Sequence, residues 1–288
     1  MNDHPDILVR NLSFPEGPRW HGDRLWFSDM HTHKVHTVTE GGDCETVCKV
    51  AGKPSGLGWL PHDGAPDAGR LLVVSMEDRR LLRLDPDGLV EFADLSPFAT
   101  GHCNDMVVSE AGRAYVGNFG FDLHAGDATP VGAALVIVDR NGKAREAASE
   151  LMFPNGSVIT PDGGTLILSE TFASRLTAFD IAADGRLSRR RTWAEVPGLF
   201  PDGCCLDEEG GIWLATCTGN QVIRVTEGGT VTDRIEIETE SFACMLGGTD
   251  GRTLFLCTAG TSEPEEAARD RTGRIEAVRV KYPRAGLP

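Results

Sequence analysis

The sequence is poor in positive charge. Against 43 aspartates and glutamates it sets only 28 lysines and arginines in 288 residues, a net charge of −15. Binding a phosphate backbone needs a basic footprint that releases counterions, so nucleic acid is excluded as a partner. Long apolar runs are missing too, and nothing approaches the roughly 18 consecutive residues of a membrane span. The opening residues MNDHPDILVR lack the basic and apolar segments of an export signal, which reads as a cytoplasmic chain with no membrane partner. No G-x-S-x-G elbow, P-loop or G-x-G-x-x-G stands between a strand and a helix, so serine hydrolases, NTPases and dinucleotide enzymes gain no support. Eight cysteines in a chain of this length are no disulfide framework and read as reduced, mostly buried apolar residues. Only Cys44-x3-Cys48 nears zinc spacing, and no second module accompanies it.

Helical periodicity is scarce as well, whereas glycine is abundant at 34 residues. Six segments share one form, a glycine turn followed by an apolar strand: 22–29, 69–76, 112–119, 163–170, 210–217 and 251–258. Their starts fall about 40–50 residues apart, the period of a propeller blade. A second strand with two-residue alternation follows each, at 33–39, 79–85, 133–139, 174–180, 220–226 and 273–279. Six such units predict an all-β fold, a six-bladed β-propeller of four-stranded antiparallel blades, with residues 1–288 as one domain. The apolar segment 6–12 is expected to complete the last blade and join the chain ends. Residues 263–271, EPEEAARDR, are the one candidate for a short helix but read rather as a charged, solvated loop. Insertions at 61–69 and 121–132 break the period, and long loops in a regular array often line a binding face.

Ahead of each first strand lies another repeated element. Three copies read Phe14-Pro15-Glu16-Gly17, Phe153-Pro154-Asn155-Gly156 and Phe200-Pro201-Asp202-Gly203. The others align by phase as Lys53-Pro54-Ser55-Gly56, His102-Cys103-Asn104-Asp105 and Ala243-Cys244-Met245-Leu246. The variable slot is thus Glu16, Ser55, Asn104, Asn155, Asp202 and Met245, and equivalent positions of a rotationally symmetric array face one another across its axis. Two carboxylates and two amide oxygens on that axis suit one hard divalent cation in the central channel. Ca²⁺ fits best, with Mg²⁺ or Mn²⁺ open, and oxygen-only donors speak against a dedicated zinc site. Turn chemistry alone explains the proline and glycine. It does not explain why acidic and amide groups recur in the slot, since converging carboxylates repel without a cation.

On these residues the chain resembles the senescence-marker-protein (regucalcin), gluconolactonase and luciferin-regenerating-enzyme family of six-bladed propellers. The likeness is carried by Glu16-Gly17-Pro18, Asn104-Asp105, Pro154-Asn155-Gly156 with Thr160-Pro161-Asp162-Gly163, and Pro201-Asp202-Gly203. The resemblance implies a divalent cation, Ca²⁺ or sometimes Zn²⁺ or Mn²⁺, held by Glu16, Asn155 and Asp202, with Asn104 as a further ligand or substrate contact. It also implies an enzyme that hydrolyses lactones, sugar lactones especially, with Asp202 as general base or nucleophile; on this reading the cation polarises the carbonyl of a sugar lactone or related small-molecule lactone and Asp202 activates water. Many sugar-lactonase members carry arginine two residues before the asparagine, where this chain has His102. In an extended segment 102 and 104 share a face, so His102 should look into the pocket as well.

Phe119 and Phe121 are candidate apolar walls. His31-x-His33-x2-His36 looks like a metal cluster, but on a strand 31 and 33 share a face while 36 points away. A phosphotriester hydrolase on the same cation and a non-catalytic scaffold propeller are the rival functions. The oxygen ring speaks against the scaffold, which has no need of one.

Overall fold

A computed structural model describes residues 4–125 and 129–288. Its six antiparallel sheets have four strands each. The first blade runs outward in chain order as Pro15–His21, Arg24–Asp29, Lys34–Val38 and Cys44–Lys49. The innermost strands of the other blades are Pro54–Trp59, Cys103–Val108, Pro154–Ile159, Pro201–Leu206 and Glu240–Gly247. Each packs on the next and the last packs on the first, which closes the ring around a channel. The glycine-led segments of the sequence are the second strands, and their partners are the third. As expected, Asp6–Leu12 joins the sixth blade, pairing antiparallel with Gly273–Arg279. A strand supplied by the far end of the chain satisfies an edge that would otherwise be open.

The alternating patterns are explained by where each strand lies. Apolar faces of neighbouring blades meet in clusters such as Leu72, Val74, Met106, Val116 and Val136. The fourth strands face water and turn polar, as in Val231–Glu236, where every residue but Ile235 is exposed. At the axis six strands crowd together, and this sets the glycines. A Cβ on Gly156 would come within 2.6 Å of the Gly203 Cα, and one on Gly203 within 2.5 Å of the Ala243 Cβ. The Pro-x-Gly element is therefore the start of a strand, not a turn. The ladder slips just after it, between Glu16 and Arg19 in the first blade and between Pro201 and Cys204 in the fifth.

Residues 263–271 depart from expectation. Pro264–Asp270 forms a short helix, with proline in the first turn, Glu265 and Glu266 near its N-terminus and Arg269 in its last turn. Seven residues are marginal as a helix in water, so packing decides. Ala267 is fully buried in an apolar cluster with Phe14, Met30 and Phe242. The histidine run also folds differently. Met30–Thr32 is a 3-10 turn and His33 takes a left-handed φ of 60°, so no strand carries the three rings. His33 bonds backbone carbonyls, and His36 stacks on Phe27. All eight cysteines are free, with Cys44 exposed on an outermost strand. No helix among the described residues is long and apolar enough to cross a membrane.

Candidate functional site

Register identifies the equivalent positions. Pro15 pairs with Asp29, Pro54 with Ser75, Cys103 with Asn118, Pro154 with Glu170, Pro201 with Thr216 and Ser241 with Thr258. The next residue in each innermost strand is Glu16, Ser55, Asn104, Asn155, Asp202 and, in the sixth blade, Phe242. Met245 is thus not the sixth member of the ring. It lies three residues further on, fully buried between blades. The sixth innermost strand lacks the Pro-x-Gly spelling, and phase alone slipped by three residues there.

Glu16, Asn104, Asn155 and Asp202 line one cavity of about 320 Å³, and His102, Phe119 and Phe242 line it as well. Ser55 stands behind the ring and donates to Asn104 Oδ1 at 3.2 Å. The amides form a chain in which Asn104 Nδ2 donates to Asn155 Oδ1 at 3.0 Å and Asn155 Nδ2 to Thr171 Oγ1 at 3.2 Å. Thr171 in turn donates to the Pro201 carbonyl at 2.8 Å. Each amide oxygen accepts one hydrogen bond here and keeps a second lone pair.

The carboxylates are held on one side and open on the other. Glu16 Oε2 accepts from the Gly17 amide at 2.7 Å, and Asp202 Oδ2 accepts from the Cys217 thiol at 3.0 Å. Asp202 Oδ1 is buried and has no hydrogen-bond partner among the described residues. Burial, with repulsion from Asp202 and Asp105, raises the proton affinity of Glu16 well above the usual carboxylate range. Burial also raises Asp202. The Cys217 hydrogen bond offsets part of that rise, Asp105 adds to it, and the Asn155 amide lowers it somewhat.

Asp105 occupies the place where other blades carry glycine or alanine, and the charge it brings is already answered. Arg19 Nη2 donates to Asp105 Oδ1 at 2.6 Å, both side chains being buried. Arg19 also donates to the carbonyls of Pro18, Leu57 and Met106. With that pair matched, the axial site carries two carboxylates, and among the described residues neither forms an ion pair with a basic side chain. Buried charges without a partner are expensive. An oxygen set of two carboxylates and two amides, with one carboxylate oxygen unpartnered, fits a hard divalent cation. Among the described residues no three histidine, cysteine, aspartate or glutamate side chains gather as a ready-made metal cluster, because half of this donor set is amide.

Residues that follow the second strands form another ring, of which the sequence reading found only Phe119. Met30, Met76, Phe119, Thr171 and Cys217 all line the cavity. The others could have been found by the same phase argument, since each ends or directly follows a recognised apolar segment. His31 lines it too, with Nδ1 buried and unpartnered among the described residues. Burial, helped by the charge of Lys53, lowers its proton affinity to about 4, so its ring is neutral at neutral pH. His102 leans on Phe119, with centroids 5.9 Å apart, and burial lowers its proton affinity as well. Phe121 packs behind the wall against Phe153 and Phe172. From the third-repeat insertion Leu123 and His124 reach the cavity, while residues 126–128 of that insertion lie outside the described residues. The insertion at 61–69 does not border the cavity; Asp67 there is clamped by Arg140 and Arg83.

These features define a class: a six-bladed propeller with an acidic, cation-suited floor at one end of its channel and an apolar wall above it. Comparison with known proteins places it further. The SMP-30/Gluconolactonase/LRE-like region matches residues 14–260, and the chain belongs to that family. It is 30% identical over 300 residues to a 6-deoxy-6-sulfogluconolactonase of Pseudomonas putida, covering 100% of this chain and 99% of that one. An L-arabinolactonase of Azospirillum brasilense is 27% identical over 118 residues, 40% of this chain and 39% of that one. Among solved structures, a luciferin-regenerating enzyme superposes with a TM-score of 0.80 at 21% identity over 98% of both chains. A calcium-binding regucalcin from Agrobacterium tumefaciens superposes equally well, at 19% identity over 99% of this chain and 96% of that one.

Proposed function

We propose that this chain is a divalent-cation-dependent hydrolase that opens a lactone ring. The observation that carries the reading is the pair of buried carboxylates on the propeller axis, neither in an ion pair among the described residues, with Asp202 Oδ1 unpartnered among them and two amide oxygens lining the same cavity. Names of relatives support the reaction class, a sulfogluconolactonase over the full length and an arabinolactonase over part of it.

Glu16, Asn155 and Asp202 would hold the cation, with Asn104 as fourth donor, and Ca²⁺ suits these oxygens best. When bound, the cation would supply Lewis acidity toward the lactone carbonyl. The remaining work falls to side chains. Asp202 Oδ1 accepts the proton of the attacking water while Cys217 holds Oδ2 in place. Asn104, tied to Ser55 and Asn155, orients the substrate over the floor. His102, held toward its neutral form by burial, hydrogen-bonds the ring oxygen, which leaves as an alcohol once it takes the proton that Asp202 accepted from water, and Phe119 supports the imidazole. Apolar side chains around the cavity exclude bulk water from the reacting carbonyl.

The reading is tested with γ-butyrolactone and glucono-1,5-lactone, assayed by proton release after chelation and after return of Ca²⁺, Mn²⁺, Mg²⁺ or Zn²⁺. Hydrolysis that vanishes on chelation, returns with a cation and is lost in Asp202→Asn is the expected result. Full activity in metal-free protein refutes the cation role. Phosphotriester cleavage without lactone hydrolysis puts the rival reaction in its place.

A further inference from the structure

The walls of the cavity say what kind of lactone it takes. Apart from Thr171 and the Cys217 thiol, its polar wall groups lie on the arc that runs from the sixth blade through the third, where Glu263, His31, Lys53, Glu77 and His102 stand. The opposite arc is aromatic. Phe119 stacks on Phe153 at 4.6 Å, Phe153 meets Phe172 edge-on at 5.2 Å, and Phe172 meets Phe200 edge-on at 6.3 Å. This band runs unbroken across the third, fourth and fifth blades to the cavity mouth, where Phe200 is 39% exposed. A contiguous row of aromatic rings lining a concave site is the kind of surface that an apolar part of a ligand covers.

We infer that the substrate is a lactone bearing an apolar or aromatic substituent, which lies along the Phe153–Phe172–Phe200 band while the ring carbonyl meets the floor. The inference rests on the lactonase reading and names its substrate class. A hydroxyl-rich lactone is poorly served by these walls. Thr171, the hydroxyl on the aromatic side, is committed at both ends, accepting from Asn155 and donating to the Pro201 carbonyl. Lys53, the sole lysine or arginine among the described lining residues, is held by Glu77 at 2.8 Å. Each substrate hydroxyl buried there without a partner weakens the complex by about 5- to 150-fold. A phenyl or alkyl group at the same place buries apolar area and stacks on rings instead.

The experiment compares kcat/KM of the full chain with added Ca²⁺ for five substrates: γ-butyrolactone, γ-phenyl-γ-butyrolactone, γ-hexyl-γ-butyrolactone, glucono-1,5-lactone and 6-deoxy-6-sulfogluconolactone. We expect the phenyl and hexyl lactones to exceed glucono-1,5-lactone by at least about tenfold. In Phe200→Ser, and separately in Phe172→Ala, the ratio of phenyl-substituted to bare lactone should fall by about tenfold, with a cooperative thermal melt showing that the variant is folded. Faster turnover of either hydroxyl-bearing lactone overturns the inference, as does an unchanged ratio in both folded variants. Hydrolysis of none of the five, bare ring included, removes the lactonase reading and the inference together. Hydrolysis of the bare ring and the sugar lactone but not the phenyl lactone removes the inference alone.

Discussion

Removing the cation should leave a signature in stability, independent of any substrate. In the folded chain Glu16 and Asp202 both have raised proton affinity, mainly from burial and then from neighbouring carboxylates. The folded state therefore binds more protons than the unfolded chain from the ordinary carboxylate range, about pH 4, up to the raised values. Stability contributed by the protonated pair is full below that range and is lost as pH rises through it. Cation-free protein should melt lower at about pH 8 than at about pH 5, and an added cation should act mainly at the higher pH, where it meets two carboxylates. A ligand at a hundred times its Kd stabilises by about 2.7 kcal/mol. An unfolding entropy of about 2.1 cal/mol/K per residue gives about 0.6 kcal/mol/K for a chain of this length, hence a rise in Tm of about 4–5 °C. Scanning calorimetry with chelator or Ca²⁺ at both pH values measures it. Asp202→Asn should raise the cation-free Tm at the higher pH and abolish the Ca²⁺ response. Equal Ca²⁺ shifts in wild type and Asp202→Asn, or no shift at the higher pH, would refute the electrostatic argument.

Three further outcomes follow from the same geometry. Cys217→Val deletes the donor to Asp202 Oδ2 and should reduce cation affinity by about 10- to 100-fold in isothermal titration, whereas Cys217→Ser keeps a hydroxyl donor and most of the affinity. Arg19→Met leaves Asp105 buried and unpaired and should cost about 3–5 kcal/mol in urea unfolding, with the double variant carrying Asp105→Asn recovering much of it. Met245→Ala, in the core between blades, should cost about 2–5 kcal/mol by the same assay while cation affinity in titration stays unchanged.

Much of this architecture is legible in the chain because a propeller is nearly one-dimensional. Each blade repeats the pattern of the last, so glycine-led strands at a blade period carry their own register. Four site positions, Glu16, Asn104, Asn155 and Asp202, follow from repeat phase, as does the pairing of Asp6–Leu12 with the last blade. Phase failed where spelling failed. In the sixth blade Ser241-Phe242-Ala243 replaces Pro-x-Gly, so repeat phase points to Met245 where the strand register places Phe242.

The sequence by itself determined the repeat, the strand alternation and the identity of the groups on the axis, because these depend on residues close together in the chain. Only tertiary structure decided what surrounds those groups. Cys217 meets Asp202 fifteen residues away, Arg19 answers Asp105 across 86 residues, and the Pro264–Asp270 helix exists because Ala267 finds an apolar cluster. The aromatic band draws Phe119, Phe153, Phe172 and Phe200 from successive blades. Hydrogen bonds, burial and charge compensation act over a few ångströms of space, and closing a ring brings together residues that separation along the chain gives no means of pairing.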